Sequence, residues 1–231
     1  MTSRARPQSP ITPDDNGTKA RRNAGPGRPK DLGKRAAILE AAKAMFIQQG
    51  FEGASMDQIA AAAGVSKLTV YSHFGDKDAL FVAAVKAHCE QQLPSLLFEG
   101  DPGSPLRERL LTLARAFFAM VACPEAVAGH RMLCTPQLAG SPLPQMFWEA
   151  GPGRIHAEFA ALLQRRIDAG ELDIGDVERA ASQFFTLLKG EPHAMLVFGC
   201  CELDESGVEQ HLEASVDLFL RAYAPRPGVT R

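Results

Sequence analysis

Ser55-Met56-Asp57-Gln58-Ile59-Ala60-Ala61-Ala62-Ala63-Gly64-Val65-Ser66-Lys67-Leu68-Thr69-Val70-Tyr71-Ser72-His73-Phe74 is the stretch on which the fold turns. Ser55 and Gln58 stand at N-cap and N3 spacing, a capping box in which each side chain satisfies a backbone N–H of the other. Met56, Ile59, Ala60 and Ala63 then share one helical face. Gly64 falls where the chain must turn through positive φ, and Val65 can plug the corner. Ser66 caps a second helix running from Lys67 to about Phe74. Two short helices joined by Ala63-Gly64-Val65-Ser66 predict a helix-turn-helix over about residues 55–74, its second helix suited to the major groove of DNA.

Working outward, Ile38, Ala41, Ala42, Met45 and Phe46 recur at helical spacing, so a helix starts near Asp31 or Gly33 and stops at Gly50. On the other side Gly75-Asp76 breaks and recaps, and a helix runs from Lys77 to about Leu93. Further helices are expected over about 106–121, 154–170, 176–197 and 207–223, with residues 136–144 loop-like. Strand-type alternation is nearly absent, so the class is all-α. Residues 1–30 hold five prolines and no periodicity, which predicts a disordered basic arm. Within it Pro26-Gly27-Arg28-Pro29-Lys30 has the form of an AT-hook, with Arg28 laid along a narrow minor groove.

The run Ala36-Ala37-Ile38-Leu39-Glu40-Ala41-Ala42, Phe46, Gly50-Phe51, Ser55-Met56, Ile59-Ala60, Ala63-Gly64-Val65-Ser66-Lys67, Thr69-Val70-Tyr71, His73-Phe74, Lys77-Asp78 and Leu80 resembles the TetR family of bacterial regulators. Leu68 and Ser72 depart from that pattern, the first where a small residue is usual and the second where a larger one is common. The resemblance implies a three-helix, homeodomain-like DNA-binding domain over 31–93, a helical effector-binding and dimerising domain over 94–225, and a tail over 226–231. It also implies that Tyr71 and His73 meet phosphates, and that the last two long helices pair with their copies as a four-helix bundle. Repression is what the family leads one to expect.

Charge is distributed accordingly. Residues 1–49 carry ten Lys/Arg against four acids, while 94–231 carry twelve against eighteen. A basic head on an acidic body fits a protein that meets DNA with one end only, and argues against a purely architectural binder. There is no apolar run of membrane-spanning length and no secretory leader, and the five cysteines lack framework spacing. Together these predict a cytoplasmic protein with reduced thiols. No Gly-x-Ser-x-Gly, phosphate loop or His-Glu-x-x-His is present, so an enzyme is the rival reading without a motif, and no cofactor is expected.

Candidate DNA contacts are Arg28 in the arm, Lys67 and Thr69 for base edges, and Ser55, Tyr71, His73 and Lys77 for phosphates. Candidate walls of an effector pocket are Phe117, Met120, Phe147, Trp148, Phe159 and Phe184, with Met132, Phe185 and Met195 as further options. Candidate dimer contacts are Phe184, Leu187, Leu188, Val216 and Leu220, which recur on apolar stripes. Cys123, His130 and Cys134 suggest an alternative, a thiol- or metal-responsive regulator, although no CxxC or HxxxH accompanies them. The expected partners are a pseudo-palindromic operator in double-stranded DNA, a second copy of the chain and a small apolar or amphipathic effector that releases the dimer, with no membrane.

Overall fold

The computed structural model describes residues 31–99, 104–200 and 204–225, and among them there are only helices, turns and irregular segments. Arg28 and its arm lie outside the described residues. The N-terminal helices are α1 (Leu32–Gly53), α2 (Met56–Ala62), α3 (Lys67–Phe74) and α4 (Lys77–Gln92). After a single turn, α5 (Leu96–Glu99), come α6 (Leu106–Ala122), α7 (Pro124–Leu133), α8 (Leu143–Ala150) and α9 (Pro152–Asp168). The last pair is α10 (Val177–Phe198) and α11 (Glu205–Ala222).

The helix starts follow the caps read from sequence. Asp31 accepts from the Gly33 and Lys34 N–H groups, Ser55 and Gln58 form the capping box, Ser66 accepts from Thr69 N, and Asp76 from Ala79 N. Gly64 and Gly75 adopt φ of +65° and +83°, a region closed to most L-residues. At Gly50 the backbone leaves helical geometry, yet a further turn carries Phe51 into the core. There Phe46, Phe51 and Phe81 meet with ring centroids 5.4–5.7 Å apart. Ile38, Ile59, Val70 and Leu80 are fully buried beside them, so α1 and α4 hold α2 and α3 from behind.

The second core is built on α6, α9, α10 and α11. Phe159 stacks on Phe184 at 4.5 Å, and Phe219 closes on Phe184 edge-to-face at 5.0 Å. Burying one such ring contributes roughly 1.5–3 kcal/mol. Arg107 to Asp217 (2.6 Å) and Arg115 to Glu209 tie α6 to α11 along its exposed flank. The two cores are not independent, because Leu138, Leu143, Met132 and Phe147 from the α7–α8 region complete the core around α1.

α10 is broken where sequence periodicity predicts one helix. Gly190 sits at φ +44°, ψ −152°, and Pro192 follows inside the helix with no N–H to give. The carbonyls of Leu187 and Leu188 find a donor across the interface: His211 Nε2 on α11 lies 3.0 and 3.1 Å from them. Both partners are acceptors, so Nε2 carries the proton.

The three aromatic or aliphatic side chains expected at a subunit contact, Phe184, Leu188 and Val216, are wholly enclosed within the protomer. That expectation is corrected: their stripes face α6 and α9 rather than another chain. What α10 and α11 turn outward is Thr186, Leu187, Gly190, Ala214 and Leu218, with Leu220 partly covered and packed on the core.

Candidate nucleic-acid interface and the cavity behind it

α3 buries Val70 and Phe74, four residues apart, and thereby presents Lys67, Leu68, Tyr71 and Ser72 to solvent. Lys67 Nζ pairs with Asp57 on α2 at 2.8 Å, and that carboxylate raises the ammonium pKa above its ordinary value. Both groups are exposed, so the pair is weak and screened and can be exchanged for a nucleic acid. Leu68 is 79% exposed on the outward face of α3. Tyr71 is exposed and makes no hydrogen bond through its hydroxyl among the described residues.

The remaining expected contacts are partly engaged within the protein. Thr69 Oγ1 is 2.8 Å from Ser66 Oγ, and Ser55 Oγ is held in its capping box. His73 lies against Phe74, its Nδ1 buried without a partner among the described residues. Lys77 folds back: its ammonium donates to Phe51 O at 2.9 Å and Ala54 O at 3.3 Å and sits 4.4 Å from the Phe51 ring centre. To reach a phosphate it would have to leave the end of α1, so its side chain is placed as a clamp between α1 and α4.

Behind this unit is a cavity of about 520 Å³. Four of the six expected pocket residues line it: Phe117, Met120, Phe147 and Trp148. Phe159 and Phe184 do not; they are sealed in the aromatic core, a correction to the sequence reading. The nearer wall comes from the N-terminal helices, through Lys43, Phe46 and Ile47 of α1 and Phe81, Val85 and His88 of α4. The far wall carries His130, His156 and Lys189. Sequence reading passed over Lys43, His88, His156 and Lys189. The one usable signal was Lys189, a charge set directly after the buried run Phe184-Phe185 and Leu188.

Among the described residues no group of three or more His, Cys, Asp or Glu side chains is placed to hold a metal. Cys134 is exposed at the end of α7; Cys123 Sγ caps the start of α7 and lies 3.9 Å from His88 Nε2. Burial pushes the Cys89 thiol up to about 11 and the Cys123 thiol up as well, which disfavours the reactive thiolate.

Burial also lowers the pKa values of His88, His130, His156 and His193 below the imidazole value of 6.5, His193 to about 4. The unfolded chain therefore takes up protons first as pH falls from 6.5, and the folded rings follow only near 4 for His193. Stability from these rings is complete above 6.5 and declines through that window. We expect a melting temperature several degrees lower at about pH 5 than at about pH 7.5, with a shallower slope in His193→Gln. A flat profile over that range would mean that the rings are solvated.

A capped helix-turn-helix with an outward reading helix, backed by a ligand-sized chamber, defines a DNA-binding regulator. Residues 38–84 match the family described as bacterial regulatory proteins, tetR family, and residues 108–225 match the AefR-like transcriptional repressor C-terminal domain. The regulator RutR of Escherichia coli is 35% identical over 205 residues, 84% of this chain and 92% of RutR. The activator FasR of Mycolicibacterium smegmatis is 33% identical over 88 residues, so the chain spans only 40% of that relative. Among solved structures, a TetR-family regulator from Mesorhizobium loti superposes with TM-score 0.70 at 31% identity, over 85% of this chain and 99% of that one. The flavonoid-responsive regulator FrrA superposes with TM-score 0.69 at 34% identity, over 85% and 100%. The chain belongs to the TetR family: it is a helix-turn-helix transcription regulator and not an enzyme. No single helix among the described residues is long and apolar enough to cross a membrane.

Proposed function

We propose that the protein acts as a dimeric repressor, released from a two-fold operator when a small molecule fills the cavity between α1, α4 and α6–α10. One observation carries this reading: the cavity wall includes α1 and α4, the two helices against which α2 and α3 are packed. A molecule that fills the space must press on the scaffold of the reading helix, and it shifts the DNA equilibrium by its difference in affinity between the two scaffold positions. The likeness of residues 108–225 to a repressor domain supports the sign of control. The name of FrrA supports a planar aromatic effector.

In the proposed complex Lys67 and Leu68 meet base edges, the leucine through a thymine methyl, while Tyr71 donates to a phosphate. Ser55, Thr69 and His73 position the backbone beside them, and Arg28 follows the minor groove.

Selection of DNA from a random pool tests this. The enriched sequence is expected to be two-fold symmetric, with half-sites about one helical turn apart. Leu68→Ala should flatten one base preference per half-site by about tenfold, and Lys67→Ala another. Tyr71→Phe should weaken all sequences equally. No enrichment at moderate salt, or unchanged preferences in both reading-helix variants, would defeat this account of the interface.

A further inference from the structure

The wall of the cavity has a one-sided chemistry. Basic side chains reach it from five helices: Lys43 on α1, His88 on α4, His130 on α7, His156 on α9 and Lys189 on α10. Among the described residues Glu125 is its single carboxylate, and that charge acts on His88 and Cys123, at the α4–α7 side. Lys189 has no hydrogen bond or ion pair among the described residues, and burial alone lowers its pKa. Its charge in turn disfavours protonation of His130, His156 and His193. The far end of the cavity is thus one half-buried ammonium beside imidazoles, with no anion among the described residues to meet it. The His130 and His193 rings pack edge to face at 5.1 Å, with His130 Nδ1 and His193 Nε2 turned away from the open space. A half-buried ammonium without a counter-charge is unfavourable unless something else completes the site.

The apolar part of the wall has a shape as well. The His156 ring lies edge-on to Trp148 at 5.2 Å and stacked on Phe185 at 4.9 Å, and Phe117 closes on Phe185 at 4.6 Å. These faces suit a flat ring system better than a flexible alkyl chain.

We propose that the effector is an aromatic acid, a planar ring system bearing one group that is anionic at neutral pH. The ring lies against Trp148, His156 and Phe185, and the anion meets Lys189. A carboxylate, a sulfonate and an acidic phenol share this chemistry. A neutral analogue is rejected because it leaves the Lys189 ammonium desolvated and unpaired. The assignment rests on reading this cavity as the effector site.

Trp148 is the only tryptophan in the chain and stands in the cavity wall, so it reports occupancy directly. The probes are 1-anilinonaphthalene-8-sulfonate and its uncharged counterpart N-phenyl-1-naphthylamine, each followed by quenching of Trp148. The sulfonate is expected to bind once per chain and at least tenfold more tightly than the more hydrophobic neutral probe. Lys189→Met should bring the two within about twofold by weakening the sulfonate alone, and Lys189→Arg should preserve the preference. Gly129→Phe places a ring on a wall position where a Cβ meets nothing within 4 Å, and should block both probes. Equal binding of the two probes, or a preference that survives Lys189→Met, would overturn the acid assignment and leave the cavity reading standing. Failure of both probes to quench Trp148 saturably would remove the cavity reading and this assignment with it.

Discussion

Leu218→Arg is expected to convert the protein into a monomer and to lower its affinity for a selected operator by a factor of about a thousand or more. Leu218 is 47% exposed on α11, in the middle of the outward face formed with Thr186, Leu187, Gly190 and Ala214. Small residues leave this face shallow, with open space of about 350 and 440 Å³ on either side of Leu218. An apolar, flat face at the last helix pair is what a symmetric four-helix contact needs, since the same patch must fit its own copy. An arginine near the two-fold axis meets its twin with no counter-charge, at a cost of about 3–5 kcal/mol. One helix-turn-helix then remains per molecule, and the gap between specific and non-specific affinity, typically about 10³ or more, is lost. The control is Val216→Arg, two residues away on the opposite face of α11 and wholly enclosed within the protomer, which should unfold the chain instead. Sedimentation and operator titration separate these results. A Leu218→Arg protein that stays dimeric and binds the operator fully would move the subunit contact elsewhere.

The contrast between Leu218 and Val216 shows where sequence reading works and where it stops. The helix-turn-helix was legible because its determinants are local: the Ser55–Gln58 box, positive φ at Gly64 and the caps at Ser66 and Asp76 each act within four residues. The apolar stripes of α10 and α11 were equally legible as stripes, but periodicity reports only that a face is covered. Whether the cover is α9 or a second chain depends on packing that no local pattern encodes, and so Phe184, Leu188 and Val216 were misplaced. The basic lining of the cavity, spread over both walls, was hidden for the same reason. Lys43, His88, His130, His156 and Lys189 are 26 to 45 positions apart in sequence and meet only when α1, α4, α7, α9 and α10 are assembled. The break in α10 is different: Gly190-Glu191-Pro192 is a local signal for a helix interruption, outweighed by the strong periodicity on either side.

That break supplies the second large effect. Gly190→Ala should lower stability by about 2–4 kcal/mol, which for a chain of this size is about 5–15 °C in Tm. Two causes add. A non-glycine residue at φ +44° is strained by about 1 kcal/mol or more. A Cβ built there falls 2.6 Å from His211 Cε1 and 2.9 Å from its Nε2, so the imidazole must move away. Moving it strips the imidazole donor from both carbonyls; Ser215 Oγ, 3.4 Å away, remains for Leu187, but Leu188 has no helical replacement because Pro192, four residues on, lacks an N–H. An unsatisfied buried acceptor costs about 1–3 kcal/mol. Straightening α10 is no escape, since Pro192 would then clash with the turn before it. The two causes can be told apart in a His211→Ala background, where both carbonyls have already lost the imidazole donor and the clash is gone. There Gly190→Ala should cost only the backbone strain, about 1 kcal/mol, so the two substitutions couple by the remainder. Gly129→Ala provides the opposite sign: it lies in the interior of α7 with open space at its Cβ, and should stabilise by about 0.5–1 kcal/mol. Because Gly190 faces the proposed subunit contact while its neighbour Lys189 lines the cavity, Gly190→Ala should also weaken dimerisation. A neutral Gly190→Ala, or equal costs with and without His211, would show that the break in α10 is not held by this histidine.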